Sequence, residues 1–163
     1  MGLCCSFFLS QHRAQYRASS QIQLGRILNQ MHVLILGCGH LTTNLVPDLA
    51  KAGFHVSVLD KDRECLERVA NEPQVEVIFT AEPLMQDYLQ QGGIDTAEIF
   101  LALSEDDHQN ALSAQIARHI FNVPKVICHL NDPQLQILYS GLGLGVVGYS
   151  FGLLQDIRQA IEG

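Results

Sequence analysis

The stretch His32-Val33-Leu34-Ile35-Leu36-Gly37-Cys38-Gly39-His40-Leu41-Thr42 decides how the rest of the chain is read. Its apolar run ends at a glycine without polar interruption, the pattern of a parallel strand covered on both faces. A helix over 41–52 follows, with Leu45, Leu49 and Ala52 on one side and Gly53 as its stop. Between strand and helix, Gly37-Cys38-Gly39-His40-Leu41 is a turn that lets backbone approach a pyrophosphate and aims helix N–H groups at it. Thr42 stands where the dinucleotide fingerprint has a third small residue, so the match is incomplete.

Outward from this unit the same step repeats. A second strand over 55–59 ends at Asp60, 21 positions after Gly39, where a carboxylate would accept hydrogen bonds from adenosine ribose hydroxyls and repel a 2'-phosphate. NAD or an adenine nucleotide therefore fits better than NADP, although Lys61 softens the preference. A plainer reading stays open: glycines serve any tight strand-to-helix turn, and Asp60 can cap the next helix.

Helices are expected over 61–70, 84–91 and 106–121, and further strands over 75–79, 98–103 and 126–130. The helix over 106–121 carries Ala111, Ala114, Ala117, Ile120 and Phe121 at three- and four-residue spacing. Asn131-Asp132-Pro133 supplies a cap and a first-turn proline for a helix to about 139. Val146-Val147 is a sixth short strand, and 151–161 a terminal helix. Alternation throughout predicts an α/β fold: a Rossmann-like, doubly wound, six-stranded and mostly parallel sheet with helices on both faces. A second glycine cluster, Gly141 to Gly145, follows a helix and precedes a strand, and reads as a helix stop rather than a phosphate loop.

The chain of 163 residues is long enough for one domain with its own core, and two cooperating enzyme domains would be cramped in it. Its net charge of −7 argues against a surface that coats nucleic acid, which needs clustered Lys and Arg. Residues 1–30 contain Arg13, Arg17 and Arg26 and no acid, so an extension over 1–30 is set apart from a domain over 31–163. Gly2-Leu3-Cys4-Cys5-Ser6 fits a short lipidation pattern and the acid-free stretch also fits a presequence, but the plainer reading is a tail or an over-extended start upstream of Met31. The five cysteines lack C-x-x-C spacing, which makes a reducing compartment the default, and the scattered histidines show no metal-ligand spacing.

Three motifs together resemble the TrkA-N family, also called RCK or KTN, the regulatory nucleotide-binding domain of bacterial potassium transport. They are Val33 to Gly39 with Asp60-Lys61-Asp62, then Ala102-Leu103-Ser104-Glu105-Asp106-Asp107-His108-Gln109-Asn110, and Val126-Ile127-Cys128-His129-Leu130-Asn131-Asp132-Pro133. The resemblance implies that Gly37, Cys38, Gly39, His40 and Leu41 hold phosphates and that Asp60 holds the adenosine ribose, with Lys61 beside it among the cofactor-binding residues. It further implies that Ser104, Asp107 and Asn110 line the opposite wall. Glu82 takes the place of the family's acid near the adenine, and His129 replaces an arginine. His129 also has a plain reading as a strand histidine, and Asp106, Asp107 and Asn110 as helix-capping residues.

By the same resemblance the ligand is NAD(H) first and ATP or ADP second. The protein is then a cytoplasmic regulatory subunit, with peripheral placement at the inner membrane face compatible. It acts on a membrane potassium channel or transporter subunit and assembles as a homodimer or higher homo-oligomer. Leu112, Ile116 and Ile120, with Leu153, Leu154 and Ile157, are candidate contact faces, or else packing within one subunit. A stand-alone NAD-binding protein and a small NAD-dependent oxidoreductase are the alternatives. The enzyme reading is weakened by the lack of a Tyr-x-x-x-Lys pair, with only Lys51, Lys61 and Lys125 present, and no second effector domain is expected.

Overall fold

The structure, a computed structural model, describes residues 31–81 and 86–148. Six strands, β1 (His32–Leu36), β2 (His55–Asp60), β3 (Val75–Phe79), β4 (Ile99–Ala102), β5 (Lys125–His129) and β6 (Gly145–Val147), form one sheet in the order β3-β2-β1-β4-β5-β6. Every pairing is parallel. The α-helices are α1 (His40–Lys51), α2 (Arg63–Val69), α3 (Gln86–Gln91), α4 (Asp107–His119) and α5 (Pro133–Gly141), with a 3₁₀ turn at Ile94–Thr96.

The apolar run of β1 exists because both of its faces are covered. Side chains alternate across a strand, so Val33 and Ile35 enter a cluster with Val46 of α1 and Cys65, Leu66 and Val69 of α2. Leu34 and Leu36 enter the opposite cluster with Phe100, Leu89, Ile94 and the alanines of α4. Ala111, Ala114 and Ala117 let α4 lie close on the sheet, and all three are buried. Burying a side chain the size of Phe100 or Leu34 stabilises the fold by roughly 1.5–3 kcal/mol each, so the central strands carry much of the stability.

The expected element order holds, with ends shifted by a few residues. Helix α2 starts at Arg63 because the Asp62 side chain accepts from the Glu64 and Cys65 amides and caps it there. Similarly Asp106 caps α4 and Asp132 caps α5, with Pro133 in the first turn. The second glycine cluster does end a helix: Leu142 caps α5, Gly143 takes φ +81°, and β6 begins at Gly145. The expected helix over 151–161, the first residues of the one over 84–91, and the extension 1–30 lie outside the described residues. Among the described residues no helix is long and apolar enough to cross a membrane.

Candidate functional site

In this strand order β1 is flanked by β2 and β4, and the chain after β1 and after β4 departs to opposite faces. Such a switch point opens a crevice beyond the C-terminal ends of the strands. A cleft of about 260 Å³ lies there.

The turn after β1 forms its floor. Gly37 has φ +102°, and a Cβ on it would collide with the backbone of Ser104, so only glycine fits. Its amide donates to Leu59 O at 2.9 Å, while Leu103 N donates to Leu36 O at 2.8 Å, which pins the turn between the two neighbouring strand ends. Thr42 makes the turn self-consistent: it is fully buried and its hydroxyl donates to Gly37 O at 2.6 Å. The residue that breaks the sequence fingerprint thus anchors the turn from beneath.

Gly39 differs from Gly37. Its backbone is extended (φ −103°), it caps α1 without a side-chain bond, and a Cβ placed on it meets nothing within 4 Å. The space above Gly39 is therefore open cleft. By helix geometry the first-turn amides at His40, Leu41 and Thr42 lack an intrahelical acceptor, and this turn of α1 contains no acid. Backbone donors and an unopposed positive helix end are the features an anion needs.

Asp60 closes one side. Its Oδ2 accepts from Cys38 N at 2.6 Å and its Oδ1 from Asp62 N at 2.7 Å. A carboxylate offers about four acceptor sites, so two remain for further donors. Lys61, Asp62, Glu105, Asp106 and Gln109 also border the cleft. Next to Asp62, the Arg63 guanidinium lies 4.3 Å from the centre of the Phe79 ring at the end of β3.

Ser104 forms the far side. Its amide donates to Asn110 Oδ1 at 2.9 Å, and its hydroxyl exchanges 3.3 Å contacts with the backbone of Asp106. Asn110 is fully buried, and its Nδ2 also donates to Ser104 O at 2.8 Å and His129 O at 2.9 Å. One carboxamide thereby ties the loop after β4 to the end of β5. Asp107 holds the next loop, accepting from Asn131 N at 2.8 Å and Asp132 N at 2.8 Å. Behind it the Cys128 thiol is pushed up to about 12, by burial first and by the Asp107 carboxylate second.

Of the expected site residues, Gly37, Cys38, Gly39, Asp60, Lys61 and Ser104 meet around one cleft. His40 and Leu41 sit on the adjoining first turn of α1. Asn110, Asp107 and His129 stand behind the wall, where the first two position loops through the bonds above and His129 is 8% exposed. Glu82 lies outside the described residues. Sequence reasoning missed a link between Cys38 and Cys65, which are joined as a disulfide with Cα atoms 5.8 Å apart. The available signal was topological: both cysteines follow the C-terminal ends of adjacent strands. Reading them only for C-x-x-C spacing hid the pair.

Comparison with known proteins bears on this geometry. The TrkA-N domain family model matches residues 33–149. A Trk system potassium uptake protein TrkA from Streptomyces coelicolor is 32% identical over 117 residues, 72% of this chain and 52% of that protein. The chain spans about half the length of this relative, and smaller shares, 19% and 22%, of those from Vibrio alginolyticus and Halomonas elongata. Among solved structures, the Shewanella denitrificans Kef CTD in its AMP-bound form superposes with TM-score 0.66 at 17% identity, covering 81% of this chain and 82% of that one. The GsuK channel bound to NAD does so with TM-score 0.60 at 20% identity, covering 72% of this chain and 21% of that one.

Proposed function

Because this chain belongs to the TrkA-N domain family, we propose that it is a nucleotide-binding regulatory subunit that couples NAD(H), or ADP and ATP, to a membrane potassium channel or transporter. The observation that carries this reading is the pairing of open space above Gly39 with two unused acceptor sites on Asp60 across the same cleft. A diphosphate over the turn and a ribose at the acid satisfy both. Two solved neighbours are bound to AMP and to NAD, which supports an adenine nucleotide as the common ligand.

The acids bordering the cleft disfavour an added 2'-phosphate, so NAD binds better than NADP. The role is regulatory rather than catalytic, in keeping with the potassium uptake relatives. Regulation requires that nucleotide bind one arrangement of the assembled domains better than another, since equal affinity switches nothing. Leu112 of α4 and Ile120 at its C-terminal cap are 50% and 56% exposed and support a homodimer contact there, whereas Ile116 packs against the core. Leu153, Leu154 and Ile157 fall outside the described residues. The cytoplasmic face of a cell membrane is the corresponding location.

Calorimetry with NAD, NADH, ADP, ATP and NADP, together with affinity purification from cells under mild detergent, tests the reading. Saturable binding of an adenine nucleotide and co-purification of a membrane transport subunit support it. Absence of binding by all five, or turnover of a carbonyl substrate with NADH, contradicts it.

A further inference from the structure

We propose that Cys38 and Cys65 are a reversible thiol–disulfide pair that sets how tightly the turn grips its nucleotide, an inference that rests on the nucleotide reading above. Cys38 is the middle residue of the glycine turn and borders the cleft, whereas Cys65 is 1% exposed beneath the start of α2. Their bond closes a ring of four links. Cys38 N donates to Asp60 Oδ2 at 2.6 Å, and Asp62 N donates to Asp60 Oδ1 at 2.7 Å. Cys65 N donates to Asp62 Oδ1 at 3.2 Å, and the sulfurs join Cys65 back to Cys38. The phosphate turn and the ribose acid are both members of this ring. The third described cysteine, Cys128, is free and buried in β5, so the pair is chemically distinct from it.

Breaking the bond moves two sulfurs from covalent to van der Waals separation. Both cysteines belong to one packed cluster with Val46, Leu66 and Val69, where displacement is costly, but only Cys38 also borders the cleft and lies in a turn rather than a helix, so the adjustment falls on Cys38 and the turn. The oxidised turn is the preorganised one, and preorganisation raises affinity by removing an ordering cost from binding. In cells that keep thiols reduced, a disulfide of this kind is commonly a transient sensing element rather than a permanent staple.

The chemistry is thiol–disulfide exchange with a low-molecular-weight thiol. Its thiolate enters through the cleft and attacks Cys38 Sγ; the S–S bond breaks, and Cys65 leaves as thiolate and takes a proton. A second thiolate then attacks the small molecule's sulfur in the mixed disulfide and releases Cys38 as a thiolate, which takes up the proton the second small thiol gave up. Two small thiols become one small disulfide, and the protein gains two S–H groups. Oxidation by that small disulfide runs the same steps backwards.

The test uses the full chain equilibrated in glutathione redox buffers, with thiol trapping and peptide mass mapping to read the Cys38–Cys65 link and calorimetry to read NAD and ADP affinity. We expect a mapped Cys38–Cys65 disulfide under oxidising buffer and nucleotide affinity about 5-fold or more tighter than in the reduced protein, the lower end of ordinary coupling between linked sites. By reciprocity, saturating nucleotide shifts the pair toward disulfide by the same factor. Cys65→Ser holds the reduced-form affinity in every buffer. Equal affinity of oxidised and reduced protein, tighter binding by the reduced form, or no mapped link overturns the linkage alone. Absence of binding by both forms overturns the nucleotide reading and the linkage with it. The equilibrium measured on the unmodified chain needs no variant to fold.

Discussion

Gly39→Val separates the floor of the cleft from the stability of the fold. At this position φ is −103° and a Cβ meets nothing within 4 Å, so an added side chain starts in open space in the free protein. No side-chain cap is lost, because none exists. The cost to stability is then at most about 1 kcal/mol, the difference between Gly and an apolar residue at a helix cap. In the bound state the isopropyl group occupies the volume above the first turn of α1, where the phosphates would lie. Displacing them forfeits at least two charge-assisted bonds to backbone amides, each worth about 1.5–3 kcal/mol. Affinity therefore falls by at least about 3 kcal/mol, or roughly 100-fold. Calorimetric titration with NAD and ADP, beside thermal unfolding by circular dichroism, reads both quantities. A variant that melts like the parent and binds like the parent would refute a phosphate site over this turn. Gly37→Val is the contrasting case: with φ +102° and the Ser104 backbone in its path it should unfold the domain rather than merely empty the cleft.

Asp60→Ala removes the acceptor for two backbone amides and for the proposed ribose, and NAD and ATP affinity should drop by about 1–3 kcal/mol in calorimetry, with a lower melting temperature as the turn loosens. Asn110→Ala removes the partner of Ser104 N and of Ser104 O and one donor to His129 O, and urea denaturation should show a loss of at least about 2 kcal/mol; unchanged stability would mean that the carboxamide does not hold the wall. The His32 imidazole, bonded to Ser57 Oγ at 2.8 Å, is held below the usual histidine value of 6.5 by burial first and by neighbouring His55 second, against the opposing pull of Glu98, Glu76 and the Gly93 carbonyl. The unfolded chain then takes up that proton more readily, so this contribution to stability is present above pH 6.5 and is lost as the pH falls through the folded value. Proton NMR titration should give His32 a midpoint under 6.5, and one above it would reverse the assignment.

The central half of the fold was legible because its physics is local. A parallel strand covered on both faces must be apolar at consecutive positions, so Val33 to Leu36 announces burial, and the switch to glycine at Gly37 announces the turn. The helix caps Asp106 and Asp132 were readable for the same reason, since a short side-chain oxygen satisfies the first amides of a helix wherever it occurs, whereas the cap offered at Asp60 lies instead at Asp62, because Asp60 is taken up by the Cys38 and Asp62 amides. What periodicity could not carry was contact between segments distant in sequence. Asn110 was expected in the wall, yet its bond to His129 O spans 19 positions and depends on β4 and β5 lying side by side. Thr42 read as a defect in the fingerprint because the fingerprint encodes close packing, not the alternative of a buried hydroxyl bonded to Gly37 O. The Cys38–Cys65 link spans 27 positions and arises only once β1 and β2 are neighbours.

Backbone amide NMR of the full chain, titrated to saturation with NAD and separately with ADP, tests the nucleotide assignment most directly. The assignment predicts the largest shifts at Gly37 to Leu41, at Asp60 to Asp62 and at Ser104 to Asp106, with β6 and α5 little changed. A spectrum that stays unmoved at saturating ligand, or one whose shifts cluster away from the strand ends of β1, β2 and β4, contradicts it.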